Sequence, residues 1–248
     1  MPTPAPLRPL RLLLKLGLPL CLLLAADAAA ASPLEARCEA GFDGAGRRPA
    51  VRVEAHDAGY RVDNSLSWRA LTRIKREHAG DVVLGLTRAE SRVAISVEGT
   101  IAGDPGSGME CMSPRIAISL SYLPIVVYVG KEFAPGTCAY REILAHEMRH
   151  LKAYVEYLPK VERTVRVSLA SRFDGRSVVA PQGQALARVQ AELDGRWMPF
   201  IKREMGKAKA LQAGIDSAGE YARLSKVCQG EVQSLIGSTR HLRSSTSS

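Results

Sequence analysis

Several signatures are missing from this 248-residue sequence, and each absence removes a class of function. There is no Gly-rich phosphate loop and no Gly-x-Ser-x-Gly elbow, so neither a phosphate cradle nor a serine-hydrolase nucleophile has a motif to rest on. Past residue 31 no stretch offers about eighteen uninterrupted apolar residues, so no transmembrane span is expected. No two cysteines stand at the spacing of a metal-ligand pair, which disfavours a Cys-rich zinc site. No internal repeat is visible. Histidine is scarce, with five in the chain, and two of those five fall in one short motif.

The front of the chain reads as a leader. Arg8, Arg11 and Lys15 precede or open an apolar run from Leu16 to Ala26, and Ala29-Ala30-Ala31 supplies the small residues a signal peptidase requires. The expectation is a signal peptide at 1–31, cleaved near Ala31, and a periplasmic or secreted protein. Cleavage removes three cations and one anion, which takes the formal charge from +9 to +7. In that compartment a basic surface suits an anionic envelope surface or an acidic substrate, a solvated basic face being the plainer explanation, and nucleic acid is not expected. Four cysteines remain after the leader, Cys38, Cys111, Cys138 and Cys228, an even number in an oxidising setting, so two disulfides are expected. Of the three connectivities, Cys111 with Cys138 is favoured because it would clamp a strand pair to the start of a helix, leaving Cys38 to Cys228.

The motif that asks for a specific chemistry is His146-Glu147-Met148-Arg149-His150. Histidines four apart lie one turn up on the same helix face, so both imidazoles can reach one zinc ion, and the glutamate between them sits beside a metal-bound water. Ile143, Leu144, Met148, Leu151, Val155 and Leu158 recur at helical spacing, Thr137 offers an N-cap, and Pro159 is expected to stop the run. Upstream, Ile116–Leu120 and Ile125–Val129 read as a pair of β-strands, the kind of element a zinc peptidase uses to hold an extended substrate.

The rest of the chain divides into strands first and helices after. Ala50–Ala55, Tyr60–Asp63, Val82–Leu86 and Arg92–Glu98 cluster β-formers, with turn signals at Asp57-Ala58-Gly59 and Gly103-Asp104-Pro105-Gly106. One helix interrupts them, from Ser65 as N-cap through Trp68, Leu71 and Ile74. After Arg141 the pattern is helical throughout, with a flexible loop expected at Gly175–Gly183. Trp68 and Trp197 sit on apolar stripes and read as core; Tyr154 and Tyr157 share the side of the histidines but read first as packing residues.

These features resemble the bacterial family of predicted secreted zinc-dependent proteases, largely a domain of unknown function. The resemblance runs from about Tyr60 to Cys228. It rests on a Tyr-Arg-Val strand followed by a helix (Tyr60 to Arg76), the Gly85-Leu86-Thr87 step, Cys111 ahead of strands containing Pro124, and the H-E-x-x-H helix. Family members carry a downstream Tyr-Asp-x-x-Thr-x-His segment that would supply a further ligand. The nearest counterpart here, Ile215-Asp216-Ser217-Ala218-Gly219-Glu220-Tyr221, has Glu220 beside the place where the histidine is expected. A catalytic zinc needs a third protein ligand, and three glutamates compete for that place: Glu220, Glu192 on the Leu186-Val189-Leu193-Trp197 stripe, and Glu156, which an unbroken helix turns away from the histidines.

The expectation is therefore an α+β protein, an N-terminal antiparallel sheet with one helix followed by a zincin-like H-E-x-x-H helix and a helical C-terminal half. Residues 32–237 form one metalloprotease domain and 238–248 a disordered tail. It is expected to hold Zn2+ on His146, His150 and Glu220 and to hydrolyse protein or peptide substrates with Glu147 as general base. The rivals are a non-enzymatic envelope-binding protein and a cell-wall amidase.

Overall fold

The computed structural model describes residues 48–75 and 82–236, with Leu34, Ala36 and Cys38 ahead of them. The leader expected at 1–31 and the tail at 238–248 lie outside the described residues. One strand organises the sheet. Strand β4 (Met109–Val129) pairs antiparallel with β3 (Gly85–Asp104) from Asp104↔Met109 to Gly85↔Val129. On its other edge three short strands follow one another. Here β5 (Val178–Pro181) is antiparallel at Met109–Met112, β1 (Ala50–His56) parallel at Arg115–Ser121, and β2 (Arg61–Asp63) parallel at Val126–Tyr128.

The sheet is thus mixed, which corrects the antiparallel expectation. The Asp57-Ala58-Gly59 signal looks like a hairpin, but the Asp57 carboxylate accepts from Gly59 N at 2.9 Å, Gly59 sits at φ +70°, and the chain resumes in the same direction along β4. The two strands read at 116–120 and 125–129 are also one. Between Ser91↔Tyr122 and Ala89↔Ile125 the register slips by one residue on β4, and the buried positions change from Ile116, Ile118, Leu120 and Tyr122 to Ile125, Val127 and Val129. A bulge that shifts the alternation by one breaks the period that identifies a strand in sequence.

Helix α1 (Trp68–Lys75) is capped by Ser67, whose hydroxyl accepts from Ala70 N at 3.2 Å, whereas the expected cap Ser65 is bound to Asp63. Helix α2 (Cys138–Phe173) begins where the sequence placed it, with the Thr137 hydroxyl accepting from Tyr140 N at 3.2 Å, but it runs straight past Pro159 for 36 residues. An interior proline costs roughly 3 kcal/mol. Beyond it Val161, Val165, Leu169 and Phe173 are fully buried against the sheet, and at about 1.5–3 kcal/mol each their burial outweighs that cost. The expected loop at 175–183 contains β5.

The remaining helices are α3 (Ala185–Glu192), a π turn at Leu193–Trp197, α4 (Met198–Gly206), α5 (Ala208–Ile215) and α6 (Ala218–Lys226), with residues 231–236 again helical. Trp68 and Trp197 are both core, as expected.

Two disulfides form, but Cys38 pairs with Cys111 and Cys138 with Cys228, which corrects the favoured connectivity. A hairpin at 116–129 would have returned Cys111 to the start of α2. One continuous strand instead carries it some 60 Å of chain away from Val129, at about 3.3 Å per residue.

Candidate metal centre

The first wall of the site is the N-terminal half of α2. Because α2 packs on the sheet through Ile143 and Leu151, the roughly two turns between them present His146, Glu147 and His150 to one side, all three buried. The second wall is the start of β3. An added Cβ on Gly85 would stand 2.7 Å from Glu147 Cγ and 2.8 Å from its Oε1, so only glycine lets the strand come this close. The Thr87 hydroxyl lies 2.9 Å from both Glu147 Oε2 and the Glu147 carbonyl oxygen and donates to one of them. That leaves Oε1 turned toward the histidines, 4.0 Å from His146 Nε2. Burial raises the Glu147 carboxyl above its ordinary range, with His150 and His146 pulling the other way.

The third wall is the α5–α6 junction. His146 Nε2 and His150 Nε2 are 3.2 Å apart, and Asp216 Oδ1 lies 3.1 Å from each. Three ligand atoms at this spacing are what a tetrahedral zinc calls for, since bonds of 2.0–2.1 Å place neighbouring donors about 3.3–3.4 Å apart. His150 Nδ1 is 2.5 Å from the Gln212 side-chain oxygen and His146 Nδ1 is 3.2 Å from Glu220 Oε1. Arg149 Nη2 is also 2.9 Å from His146 Nδ1; in the tautomer that carries its hydrogen on Nδ1, each imidazole would aim its Nε2 lone pair at the space Asp216 also faces.

Among the described residues, His146, His150 and Asp216 form a group able to hold a metal ion. The other grouping, Cys138, Cys228 and Glu231, has its two sulfurs joined in a disulfide. Burial would raise the Asp216 carboxyl, but the imidazoles of His146 and His150 and the Lys75 ammonium beside it hold it well below the usual carboxylate range. Burial likewise opposes charge on His150, yet the Asp216 carboxylate, the charge of Glu147 and the Gln212 oxygen beside it raise its pKa above the ordinary value.

The structure separates the three glutamates considered from sequence. Glu220 stands on the outer side of His146, gripped by Arg223 at 2.9 and 3.0 Å and by Arg149, and Arg223 above all holds its carboxyl at about 2. It lies on the Nδ1 side of the imidazole, while Asp216 is the carboxylate grouped with the two Nε2 atoms. Glu192 is paired with Arg172 at 2.7 and 2.9 Å, and Glu156 is 67 % exposed beside Lys152. Neither reaches the histidines. Asp216 lay in the segment that carried the family resemblance, at the aspartate of its Tyr-Asp pair, and that was the one sequence signal for it.

A cavity of about 790 Å³ opens over these groups, flanked by Gly85–Ala89 of β3. Among the described residues β3 pairs with β4 alone, so its other edge is unpaired there. Tyr154, one turn beyond His150, lines the cavity and packs on Tyr122 with ring centroids 4.9 Å apart, while Tyr157 packs into the core. His56 is exposed at the end of β1; His78 and His241 lie outside the described residues. Comparison of the chain with family models, with curated proteins and with solved structures finds no match.

Proposed function

We propose that this chain is an exported zinc-dependent peptidase of the kind its sequence resembles, with His146, His150 and Asp216 as metal ligands and Glu147 as general base. One observation carries the reading: both Nε2 atoms and Asp216 Oδ1 converge to within 3.2 Å of one another, with the Gln212 side-chain oxygen at Nδ1 of His150. Three protein donors among the described residues, rather than four, leave room for substrate, which favours a catalytic over a structural site.

When bound, zinc would polarise a peptide carbonyl and acidify a water. The chain's own groups do the rest. Glu147 Oε1, buried and held by the Thr87 contact to its partner oxygen, takes a proton from the attacking water and returns it to the leaving amine. The unpaired edge of β3 would accept an extended peptide as an added strand, and Gly85 keeps that edge against Glu147.

The test is zinc analysis of the mature protein with His146→Ala, His150→Ala and Glu147→Gln variants, alongside hydrolysis of a general protein substrate. About one zinc per chain is expected, lost in either histidine variant and kept in Glu147→Gln, whose hydrolysis falls by orders of magnitude. Zinc bound equally well without both histidines would contradict the site.

A further inference from the structure

The two ends of the cavity differ in character, and their order follows from the register of the elements around them. Gly85 abuts Ile143 and Glu147, and Thr87 binds Glu147, so β3 runs alongside α2 in the same direction and continues toward Arg88 and Ala89, which line the same cavity as His150 and Tyr154. Helix α5 runs the opposite way: Asp216 reaches both histidines, Gln212 reaches His150, and Lys209, one turn earlier, faces the Tyr154 end. The Tyr154 end therefore carries Arg88 and Lys209. The other end is walled by Ile74, Val82, Ile143, Tyr221 and Leu224.

The two cations are not neutralised in place. Lys209 is exposed and has no carboxylate partner among the described residues. Arg88 meets Glu90 at 3.2 Å, but with side chains 57 % and 47 % exposed that pair is weak. Lys75, the remaining lysine of the cavity, is bound to Asp216 Oδ2 at 2.7 Å and belongs to the metal end. The two carboxylates of the lining, Glu147 and Asp216, face the histidines, and the Glu90 carboxylate beside Arg88 is shared with Arg92 at 3.8 Å, so the Tyr154 end keeps a positive balance.

We infer that the Tyr154 end of the cleft is a carboxylate-binding subsite, and that the preferred substrate is a peptide with an acidic group on one side of the scissile bond and an apolar residue on the other. This rests on the cavity being the peptide site proposed above. The carboxylate is that of an interior Glu or Asp side chain, and a free chain terminus presents the same chemistry. Two partly exposed cations justify an effect of roughly 5- to 10-fold.

The test measures binding to zinc-loaded Glu147→Gln protein, in which nothing is turned over. Three peptides of otherwise identical apolar sequence serve as probes: an acetylated, amidated peptide with one Glu, its Gln counterpart, and the Gln peptide with a free C-terminus. The Glu peptide is expected to bind about 5- to 10-fold more tightly than its Gln counterpart, and adding Lys209→Glu, an exposed change that leaves zinc content intact, should erase that difference. Tighter binding by the free-terminus peptide alone, also erased by Lys209→Glu, supports the subsite and assigns it to the chain end. Equal binding of all three, or a preference that survives Lys209→Glu, overturns it. Wild-type hydrolysis is read separately: a Lys209-dependent preference with no cleavage of any peptide overturns the peptidase reading and leaves the carboxylate subsite standing.

Discussion

The site joins two regions held in place by different forces. The α2 side is anchored by apolar burial: Ile143 and Leu151 flank the motif, and the same helix continues through Leu158, Val161, Val165 and Leu169 into the core under β4. The side that brings Asp216, Gln212 and Glu220 has little such support, since α5 and α6 bury only Ala208 and Leu224. That segment is a strap. Its front follows α4 out of the core, its rear is tied to the start of α2 by Cys138–Cys228 and by Ala139 N donating to Glu231, and between them polar contacts hold it. Those contacts are Lys75 to Asp216 at 2.7 Å, Arg223 to Glu142 at 2.7 Å, and Arg149 to Glu220. The histidines should therefore keep their geometry under changes that displace Asp216.

This contrast orders the expected effects. The largest belongs to the scaffold itself. Leu169→Ala empties a fully buried position far from the motif and should cost about 2–5 kcal/mol of global stability by thermal or denaturant unfolding. A loss below 1 kcal/mol would show that α2 is not held as described.

Next come the two carboxylates. Asp216→Ala should weaken zinc binding by well over 100-fold and Glu220→Ala by about 10- to 100-fold, since Glu220 acts through the His146 ring. A competition titration with a chelating dye compares them, and a stronger effect at Glu220 would restore it as the ligand.

The disulfide comes third. Replacing Cys138 and Cys228 by serine should cost about 2–5 kcal/mol and should also weaken zinc binding through the strap, whereas the corresponding change at Cys38 and Cys111 should cost stability without altering zinc affinity once the protein is folded. Equal zinc affinity in both double variants would mean that the strap holds without its bridge.

The smallest effect is expected at Lys75→Met, which removes one hydrogen bond from Asp216 Oδ2 and should lower zinc affinity by no more than about 10-fold, given a net worth of roughly 1.5 kcal/mol or less for a partly exposed pair.

How far the sequence disclosed this arrangement depended on whether the signal was local. The H-E-x-x-H spacing, the Thr137 cap, and the turn signal at Gly103–Gly106, whose turn at 105–108 joins β3 to β4, are set by neighbours within a few residues, and all were legible. The parallel placement of β1 and β2, the continuity of β4 across its bulge, and the passage of α2 through Pro159 are decided by what lies across the sheet, and local rules pointed elsewhere. The disulfide pairing failed with β4, because it presumed a hairpin. Asp216 was hidden for a related reason. It lies 66 residues from His150 in sequence, and its carboxylate, unlike that of Glu220, is selected by where the end of α5 meets α2 rather than by any spacing along the chain.

The central claim is that one zinc ion sits between His146 Nε2, His150 Nε2 and Asp216 Oδ1. Anomalous diffraction at the zinc edge from crystals of the mature protein tests it most directly. The account predicts a single strong peak about 2.0–2.2 Å from those three atoms, with Glu220 on Nδ1 of His146 and an open position toward β3. A peak bound by Glu220 in place of Asp216, or no peak between the two histidines at saturating zinc, would contradict it.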